Sequence, residues 1–341
     1  MILLNKLEHY GVRGMANHLN GSYLSNRTQF VEIDGEHSST RLIDIGVPQG
    51  SNIGPLLFLI YVNDIGKLNL KGIPRLFADD TALFYPQKSS QAIISCIEQD
   101  LKILSEYFQI NLLSLNLQKT KYMIFHSIKK QPIIVNNPEM LHHSIEKVNE
   151  FKYLGIVLDS TLSWSNHITF IERKVSALCG MLKRVSTFVS QKASLSFYYA
   201  CIHSTFQYMN IVWGNAGKSK LQKLQVLQNR CLKLIYKLPY LHPTIDIYLN
   251  SSHCILPIRA LCELQTCMFM HDIKHNRSRH NYLIFTVQNH PHNTRQAHHL
   301  LSARANTTLG QKRITFKGPQ IYNLLPNELK SLNNKTSSRL D

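Results

Sequence analysis

Two hydrophobic patterns divide the chain at about residue 160. Before it, short apolar runs alternate with polar turns, and after it apolar residues recur every three or four positions. The first pattern is typical of hairpins and separate helices, and the second is typical of amphipathic helices. We therefore expect an α+β module followed by an all-α region, with helices over about 164–188, 190–208 and 217–237.

The order of elements narrows the fold of the first module. Strands, a helix, a hairpin, a second helix and a strand follow one another between residues 29 and 125, and a hairpin over 150–159 closes the module. The apolar stripe of the second helix is assigned to the core and consists of Ile93, Ile97, Leu101, Leu104 and Phe108. This order predicts a split β-α-β antiparallel sheet with helices on one face.

The distribution of charge separates the same two parts. The net charge is +17, yet residues 1–160 contain 15 basic and 15 acidic residues, which leaves 23 basic and 6 acidic residues after them. This division suggests a catalytic or core unit joined to a unit that grips a polyanion, although a basic surface kept for solubility is the alternative. We divide the chain into 1–160, a helical region 161–240 and a basic C-terminal region 241–341. The tail is expected to be loosely structured, with one short docked helix near Phe316–Pro326.

Composition and terminal sequence exclude several classes of protein. The seven cysteines lack paired spacing in a chain large enough to fold without disulfides, which favours a reduced, intracellular setting. Residues 1–8 are too short and too soon charged for a signal peptide. The longest apolar run, 55–62, is far shorter than a membrane span. We expect no insertion into a bilayer.

Two adjacent carboxylates, Asp79 and Asp80, interrupt an apolar stretch at the predicted tip of a hairpin. Neighbouring carboxylates repel each other, and a divalent cation removes that cost. Their hard oxygen ligands favour Mg²⁺ or Mn²⁺, the metals of in-line phosphoryl chemistry. A plain acidic turn remains the alternative for an isolated Asp-Asp pair.

A glycine- and proline-rich loop precedes the first long apolar helix of the module. Glycines at 46, 50 and 54 let the backbone approach a flat or bulky group, and the helix start offers N–H groups to a phosphate. Ser51 or Asn52 is suited to cap that helix, whose first turn includes Pro55. A simple connector between a strand and a helix is the alternative.

These motifs, taken in order, resemble the reverse transcriptase of a non-LTR, LINE-type retrotransposon. The match covers about 1–160 strongly and the basic helices less so, and the stretch 294–326 resembles the tail of jockey- or CR1-like elements, with Tyr322 where a tryptophan is common. The motifs are Gly46-Val47-Pro48-Gln49-Gly50-Ser51, Gly54-Pro55-Leu56-Leu57-Phe58, Phe77-Ala78-Asp79-Asp80, Asn116 with Lys119-Thr120-Lys121, and Tyr153-Leu154-Gly155.

The resemblance implies a fold and a reaction. The fold would be an incomplete polymerase palm followed by a basic thumb-like bundle. The reaction would be two-metal nucleotidyl transfer from a dNTP to a primer 3′-hydroxyl on an RNA template, with Mg²⁺ or Mn²⁺ as cofactor. The partners would be an RNA template and a DNA primer or target, and the location would be nuclear.

The same resemblance assigns roles to particular residues. Asp79 would bind the catalytic metals with Asp80 as its partner carboxylate. The template base and nucleotide would contact Pro48, Gln49, Gly50 and Ser51. Lys119 is a candidate proton donor to pyrophosphate and equally a solvated turn lysine. The primer grip would consist of Phe151, Tyr153, Leu154 and Gly155.

One departure from the family pattern limits these expectations. In the family another metal-binding Asp lies just upstream of the helix that here ends at Tyr10, and neither Asp34, Asp44 nor Asp64 replaces it by motif. The chain therefore resembles an N-terminally truncated domain without fingers, and two acids under-ligand two metals. We expect little or no nucleotide incorporation by the isolated chain. A catalytically inactive nucleic-acid-binding remnant is the alternative function.

Overall fold

The computed structural model describes residues 2–43, 45–48, 50–87, 89–129, 131–132, 136–250, 254–275 and 299–332. The chain divides into two compact units. The first comprises Met1–Ile124 and Lys129–Val148, and the second comprises Phe125–Ile128 and Asn149–Asp341. Each unit is described by itself below.

The first unit mixes helices with short strands. Its helices are α1 (Ile2–His9), α2 (Met15–Leu24), α3 (Gly54–Val62), which continues as a 3₁₀ turn (Asn63–Lys67), and α4 (Ser90–Ile110). Its strands are β1 (Arg27–Gln29), β2 (Glu32–Ile33), β3 (Glu36–His37), β4 (Arg41–Ile43), β5 (Ile73–Phe77), β6 (Asp80–Phe84), β7 (Lys121–Tyr122), β8 (Glu139–Met140), β9 (His143–Ser144) and β10 (Glu146–Lys147). The α+β prediction for this part of the chain is confirmed.

The strands do not join into one sheet within the described residues. They pair as two-stranded ladders: β1 with β4, β2 with β3, β5 with β6 and β8 with β9, all antiparallel, and β7 with β10, which is parallel. Most strands are only two or three residues long, so each offers too few backbone groups to recruit a third strand. The continuous split β-α-β sheet expected from the sequence is therefore not what the ladders form.

The core of the first unit lies between α4 and the segment α3 with its 3₁₀ turn. Val62 and Ile65 are buried there with the apolar stripe of α4. Ile97, Leu101 and Leu104 are buried and Ile93 and Phe108 pack against them. The core assignment made from the helical period is confirmed, because that period places these residues on one face.

The second unit is mostly helical and opens with one hairpin. Its strands are β11 (Glu150–Tyr153) and β12 (Ile156–Asp159). Its helices are α5 (Ser165–Val185), α6 (Gln191–Phe197), α7 (Ser204–Gln207), α8 (Asn210–Trp213), α9 (Lys218–Ile235), α10 (Ile245–Asn250), α11 (Ile258–Lys274), α12 (Thr308–Gln311), α13 (Ile314–Asn323) and α14 (Asn327–Lys330), with a π-helical turn (Tyr198–His203) between α6 and α7. The three helices predicted from the period are present.

Aromatic residues fill the core of the second unit. Tyr198, Phe206 and Trp213 are fully buried among the apolar faces of α5 and α9, as expected. The preference of aromatic residues for the interior predicts that Tyr199 and Tyr208 also belong to this core rather than to a stacking surface, but both are exposed. Only one face of a helix packs against the core, and these two side chains lie outside that face.

The boundary between the units lies ahead of the hairpin β11–β12 rather than after it. Ile156 and Val157 of β12 are buried, and this strand packs against α5. The sequence placed this hairpin in the first module because its strand pattern resembles what precedes it. The division at residue 160 thus differs from the structural division by one hairpin.

The described part of the C-terminal region contains a docked helix. Tyr322 of α13 is buried with Met270 of α11 and with Leu300, which agrees with the expected island near Phe316–Pro326. Residues 276–298 and 333–341, on which part of the tail prediction rests, lie outside the described residues. Among the helices that the structure describes, none combines the length and the hydrophobicity of a membrane span.

Candidate active site

The two carboxylates lie at the tip of the hairpin β5–β6. Phe77 pairs with Asp80, so Ala78 and Asp79 form a two-residue turn, and both acids are exposed. Ala78 has a φ of +51°, in the left-handed region that alanine occupies only at a cost. Strain of this kind concentrates at functional sites, and here it lies directly beside Asp79.

The strands that carry these acids are covered on one face only. Leu76 and Leu83 face the core of the first unit, whereas Ile73, Phe77 and Phe84 are exposed. Directly paired residues share a face, so Asp80 lies on the exposed face with Phe77. The apolar stretch on either side of the acids suggests two buried strands, but the ladder is only partly buried, since the helices cover one side of it.

A buried carboxylate anchors the base of this hairpin. Asp100, in the middle of α4, is fully buried, and its two oxygens accept the backbone N–H groups of Lys71 at 2.8 Å and Gly72 at 2.7 Å. These two residues lead directly into β5, so α4 fixes where the hairpin begins. Sequence reasoning missed Asp100, although an acid inside an apolar helical stripe is the signal that would have identified it.

The donor chemistry of the acid pair suits a divalent cation, but the number of donors is low. Asp79 and Asp80 offer the hard oxygens that Mg²⁺ and Mn²⁺ prefer. Within the described ranges, no three His, Cys, Asp or Glu residues come together as a metal site. The pair therefore fits part of one coordination sphere and does not by itself complete a two-metal centre.

The loop that precedes α3 has the backbone conformation expected of a glycine-rich turn. Gly46 and Gly50 have φ values of +83° and +80°. The guanidinium of Arg27 donates to the carbonyl of Gly46 at 2.6 Å and so ties the start of the loop to the end of α2. Pro48 and Ser51 are half-buried in this loop, whereas Gln49 lies outside the described residues.

The start of α3 follows the sequence prediction with one difference. Pro55 lies in the first turn, as expected, but Ile53 occupies the N-cap position without a capping side-chain bond. Ser51 supports the turn from further back, because its hydroxyl accepts the N–H of Gly54 at 3.0 Å. The role of Ser51 at the helix start is therefore present in a modified form.

Lys119 lies in an exposed turn that Asn116 organises. The backbone N–H of Lys119 donates to the side-chain oxygen of Asn116 at 3.1 Å, and Thr120 donates to the Asn116 carbonyl. This Asx-type turn explains why Asn116 and Lys119 occur at this spacing. Lys119 is exposed, which is compatible with both interpretations left open by the sequence.

Asp64, which motif analysis discounted as a metal ligand, is used in a structural contact. Its carboxylate accepts from Lys6 Nζ, at 2.9 Å, and from the hydroxyl of Tyr107. Burial tends to raise the pKa of Asp64, but the hydrogen bonds from Tyr107 and Lys6 outweigh it and hold the pKa below its usual value. This contact joins α1 to the 3₁₀ turn and α4.

The second candidate hairpin, β11–β12, belongs to the second unit. Tyr153 pairs with Ile156, and the turn residues Leu154 and Gly155 have φ values of +46° and +79°. Positive φ at both positions is the conformation of a type I′ turn, whose twist matches that of the strands. The hydroxyl of Tyr208 donates to the Leu154 carbonyl at 2.7 Å and so covers the turn.

The side chains of this hairpin differ in exposure. Phe151 is exposed, and Tyr153 and Leu154 are half-buried. Thus Asp79, Asp80, Lys119 and the loop before α3 belong to the first unit, whereas the residues assigned to a primer grip belong to the second.

The basic residues of the second unit are mostly on exposed helix faces. The exposed ones include Lys183, Arg184, Lys218, Lys223, Arg230 and Lys237. Two other lysines of α9 donate hydrogen bonds to backbone carbonyls of the same unit. Lys220 donates to the Ser163 carbonyl at 2.8 Å, and Lys233 donates to the Tyr240 carbonyl.

Comparison with known proteins assigns the first part of the chain. Residues 2–158 match the family described as reverse transcriptase (RNA-dependent DNA polymerase). This part of the chain is therefore similar to reverse transcriptases, in agreement with a domain of a LINE-type element. This confirms the resemblance carried by the loop before α3, the Asp79-Asp80 hairpin and the 151–155 turn.

Relatives in Drosophila melanogaster extend the match. The probable RNA-directed DNA polymerase from transposon BS is 30% identical over 64% of this chain and 25% of its own length. The RNA-directed DNA polymerase from mobile element jockey is 30% identical over 66% of this chain and 25% of its own length. The probable RNA-directed DNA polymerase from transposon X-element is 27% identical over 63% of this chain and 24% of its own length. The chain therefore spans about a quarter of the length of these relatives.

Proposed function

We propose that this chain contributes to RNA-directed DNA polymerisation in a non-LTR retrotransposon. The reaction would join a dNTP to the 3′-hydroxyl of a primer on an RNA template. The observation that carries this proposal is the exposed Asp79-Asp80 pair at the tip of a hairpin inside the domain matched by the reverse transcriptase family. The first unit would then act as a palm and the second as a thumb.

The acid pair would hold a divalent cation, Mg²⁺ or Mn²⁺. When bound, such a cation neutralises charge on the phosphates and lowers the pKa of an attacking hydroxyl. Asp79 and Asp80 would supply oxygens to it from the turn and from the first position of β6. The anchor at Asp100 supports this role, because a ligand pair acts well only on a hairpin whose position is fixed.

The loop before α3 and Lys119 would act on the nucleotide. Pro48, Gln49, Gly50 and Ser51 would contact the template base and incoming nucleotide, which the positive φ of Gly50 supports by exposing backbone there. Lys119 would donate a proton to the leaving pyrophosphate, because its exposed ammonium is free to turn toward that charge.

The second unit would hold the primer and the template duplex. The turn at Leu154-Gly155 would press on the primer end, supported by Tyr208. The exposed cations of α5, α9 and the residues after α9 would contact backbone phosphates, a mode that carries no sequence preference. Affinity for an RNA–DNA duplex is therefore expected to fall steeply with salt in a filter-binding titration, and a flat response would contradict this role.

The isolated chain is expected to incorporate few nucleotides. Two carboxylates leave a metal centre of this chemistry short of ligands, and the described residues bring no third one to the pair. Activity therefore depends on a further ligand group. The relatives, which are about four times longer than the matched part, offer a setting in which to supply one.

The test compares the chain alone with a chimaera. In the chimaera, this chain replaces the matching quarter of the jockey polymerase, and both proteins extend a DNA primer on an RNA template with Mg²⁺ or Mn²⁺. We expect extension by the chimaera and almost none by the chain alone. Asp79→Asn should lower extension by about 100-fold or more, the scale seen when a charge-stabilising group leaves an active site.

Asp34→Asn is the matched control, because Asp34 is also an exposed acid in a hairpin turn of the first unit. It should leave extension unchanged. Manganese binding by the unmodified chain, followed by electron paramagnetic resonance, gives a readout that does not require activity. Equal manganese binding by the chain and by Asp79→Asn would contradict the assignment of the acid pair as ligands.

A further inference from the structure

The second unit contains a cavity that the proposed polymerase chemistry does not use. It has a volume of about 270 Å³ and lies among α8, α9, α11 and α13. Aliphatic side chains form part of its wall and include Ile211, Leu221, Ile258 and Ile321. This size is at the lower end of small-molecule sites and excludes a folded partner.

Asn210, one of the residues that line this cavity, has an unsatisfied amide. The residue is 1% exposed, and neither Oδ1 nor Nδ2 has a hydrogen-bond partner among the described residues. Leaving a buried donor and acceptor unpaired costs free energy, so such groups usually have a partner. An amide presents one donor and one acceptor side by side, which is the pattern that matches the edge of a nucleobase.

Positive charge surrounds the same cavity. Lys218, Arg259 and Lys317 line it, and Glu263 is the only acid among its lining residues. Glu263 is already paired, since it accepts from Arg259 Nε at 3.0 Å. The surplus of cations favours an anionic ligand.

The surroundings of Lys317 lower its pKa. Burial lowers its pKa, and the charge of Arg259 lowers it further. A desolvated ammonium beside another cation gains more from an anion than a solvated lysine does, because the anion relieves both costs. The half-buried Lys317 is therefore suited to a phosphate that enters the cavity.

We propose that this cavity binds one nucleotide, with its base at the Asn210 amide and its phosphate at Lys317 and Arg259. The aliphatic wall would contact the faces of the base. The site lies wholly within the second unit and shares only Lys218, one of the cations proposed to contact backbone phosphates, with the polymerase proposal. The nucleotide would be either free in solution or part of a nucleic-acid strand.

The test measures binding of 5′-AMP to the full chain by equilibrium dialysis in the presence of EDTA. Chelation removes the divalent cations on which nucleotide binding at the Asp79-Asp80 pair would depend. We expect saturable binding of one AMP per chain. Adenosine and inorganic phosphate should each compete more weakly than AMP, because each makes only part of the contacts. A ten-residue oligoadenylate separates the sources, since it displaces AMP only if the site accepts a nucleotide within a strand.

Lys317→Met should weaken AMP binding by about tenfold or more, the equivalent of one charged hydrogen bond. Lys192→Met, at an exposed lysine of the same unit outside the cavity, is the matched control and should bind normally. Asn210→Leu should also weaken binding of AMP while leaving phosphate binding unchanged. If Asn210→Leu fails to fold, Arg259→Gln tests the phosphate contact instead and should weaken binding of AMP and of phosphate alike, because that side chain is 72% exposed and its loss should not disturb the core.

Three results would overturn the proposal. The first is the absence of AMP binding at millimolar concentrations, and the second is equal binding by Lys317→Met and the unmodified chain. The third is loss of binding in Asp79→Asn, which would move the nucleotide to the polymerase site. Retention of AMP binding by Asp79→Asn supports the cavity even if the polymerase proposal fails.

Discussion

The hairpins β5–β6 and β11–β12 are each closed by a two-residue turn, but hydrogen bonds to the rest of each unit hold them at opposite ends. The first is held at its base, where Asp100 binds Lys71 and Gly72, and its acidic tip is exposed. The second is held at its tip, where Tyr208 binds Leu154. A turn left open to solvent suits residues that meet a ligand, whereas a turn fastened to helices suits a rigid contact surface.

The turns differ in their use of glycine. Leu154-Gly155 has positive φ at both positions, as a type I′ turn requires, and has a glycine at one of them. The turn of β5–β6 places Ala78 at positive φ without any glycine. Each turn thus has one residue other than glycine in the left-handed region, Leu154 or Ala78, but only the second turn also has a glycine, and four measurements test how the two hairpins differ.

The largest expected effect is at the base of the first hairpin. Asp100→Ala removes the acceptor of two backbone N–H groups, of which that of Gly72 is buried, and leaves a cavity in the core, so we expect a loss of about 3 kcal/mol in the free energy of unfolding. Urea unfolding of the chain measures it. Glu98→Ala, at an exposed acid of the same helix, should change stability by less than about 0.5 kcal/mol. A similar small change in Asp100→Ala would mean that α4 does not anchor the hairpin.

The second hairpin should instead be sensitive to mild acid. Nδ1 of the buried His167 accepts the N–H of Val157 in β12 at 3.3 Å, and burial lowers the pKa of His167 to about 4. The unfolded chain takes up this proton near pH 6.5, before the folded chain does. The contribution to stability is therefore complete above pH 6.5 and is lost as the pH falls toward 4, by about 3 kcal/mol in total.

Comparison with His167→Gln isolates this effect. Glutamine keeps a side-chain acceptor but does not titrate, so the variant should lose less stability between pH 6.5 and 4 than the unmodified chain. His203, whose pKa burial also lowers, contributes equally to both proteins and cancels in the difference. Parallel stability curves for the two proteins in this pH range would mean that His167 has the same pKa in the folded and unfolded chains, which would contradict the prediction.

The sequence predicted the turn residues of both hairpins but not the distant residues that hold the hairpins in place. Asp79-Asp80 and Leu154-Gly155 are recognisable because local spacing alone defines a turn and its residues. Asp100 and Tyr208 contact residues at least 28 positions away, and His167 contacts one ten positions away in a different element, so residue spacing does not predict these contacts. Their tertiary contacts decide which turn is fastened at which end.

The same distinction explains the fold predictions that succeeded and failed. The helical period identified α4, α5 and α9, because one apolar face per helix determines burial. Strand pairing beyond adjacent hairpins was not predictable, and the expected single sheet is replaced by separate ladders such as the parallel pair of β7 with β10. Pairing of this kind depends on contacts between distant residues.

The turn of the second hairpin should be sensitive to a single methyl group. Gly155→Ala places a side chain at a φ of +79° and brings its Cβ to 3.2 Å from the Tyr208 ring, so we expect a loss of about 1 to 2 kcal/mol. Thermal unfolding provides the measurement. Gly180→Ala, at an exposed glycine inside α5 with open space around it and without a positive φ, serves as control and should not lower stability. Equal effects of the two substitutions would mean that the second turn does not require a glycine at position 155.

The smallest effect tests the strain at the acidic tip and should have the opposite sign. Ala78→Gly relieves the left-handed conformation, worth about 1 to 2 kcal/mol, but adds freedom to the unfolded chain worth up to about 1 kcal/mol. The net result should be a gain of about 0.5 kcal/mol in urea unfolding. Ala82→Gly, within β6 of the same hairpin, should lose about 0.5 to 1 kcal/mol. If both variants lose stability alike, Ala78 is not strained, and the acidic turn differs from the second one only in its lack of a fastening.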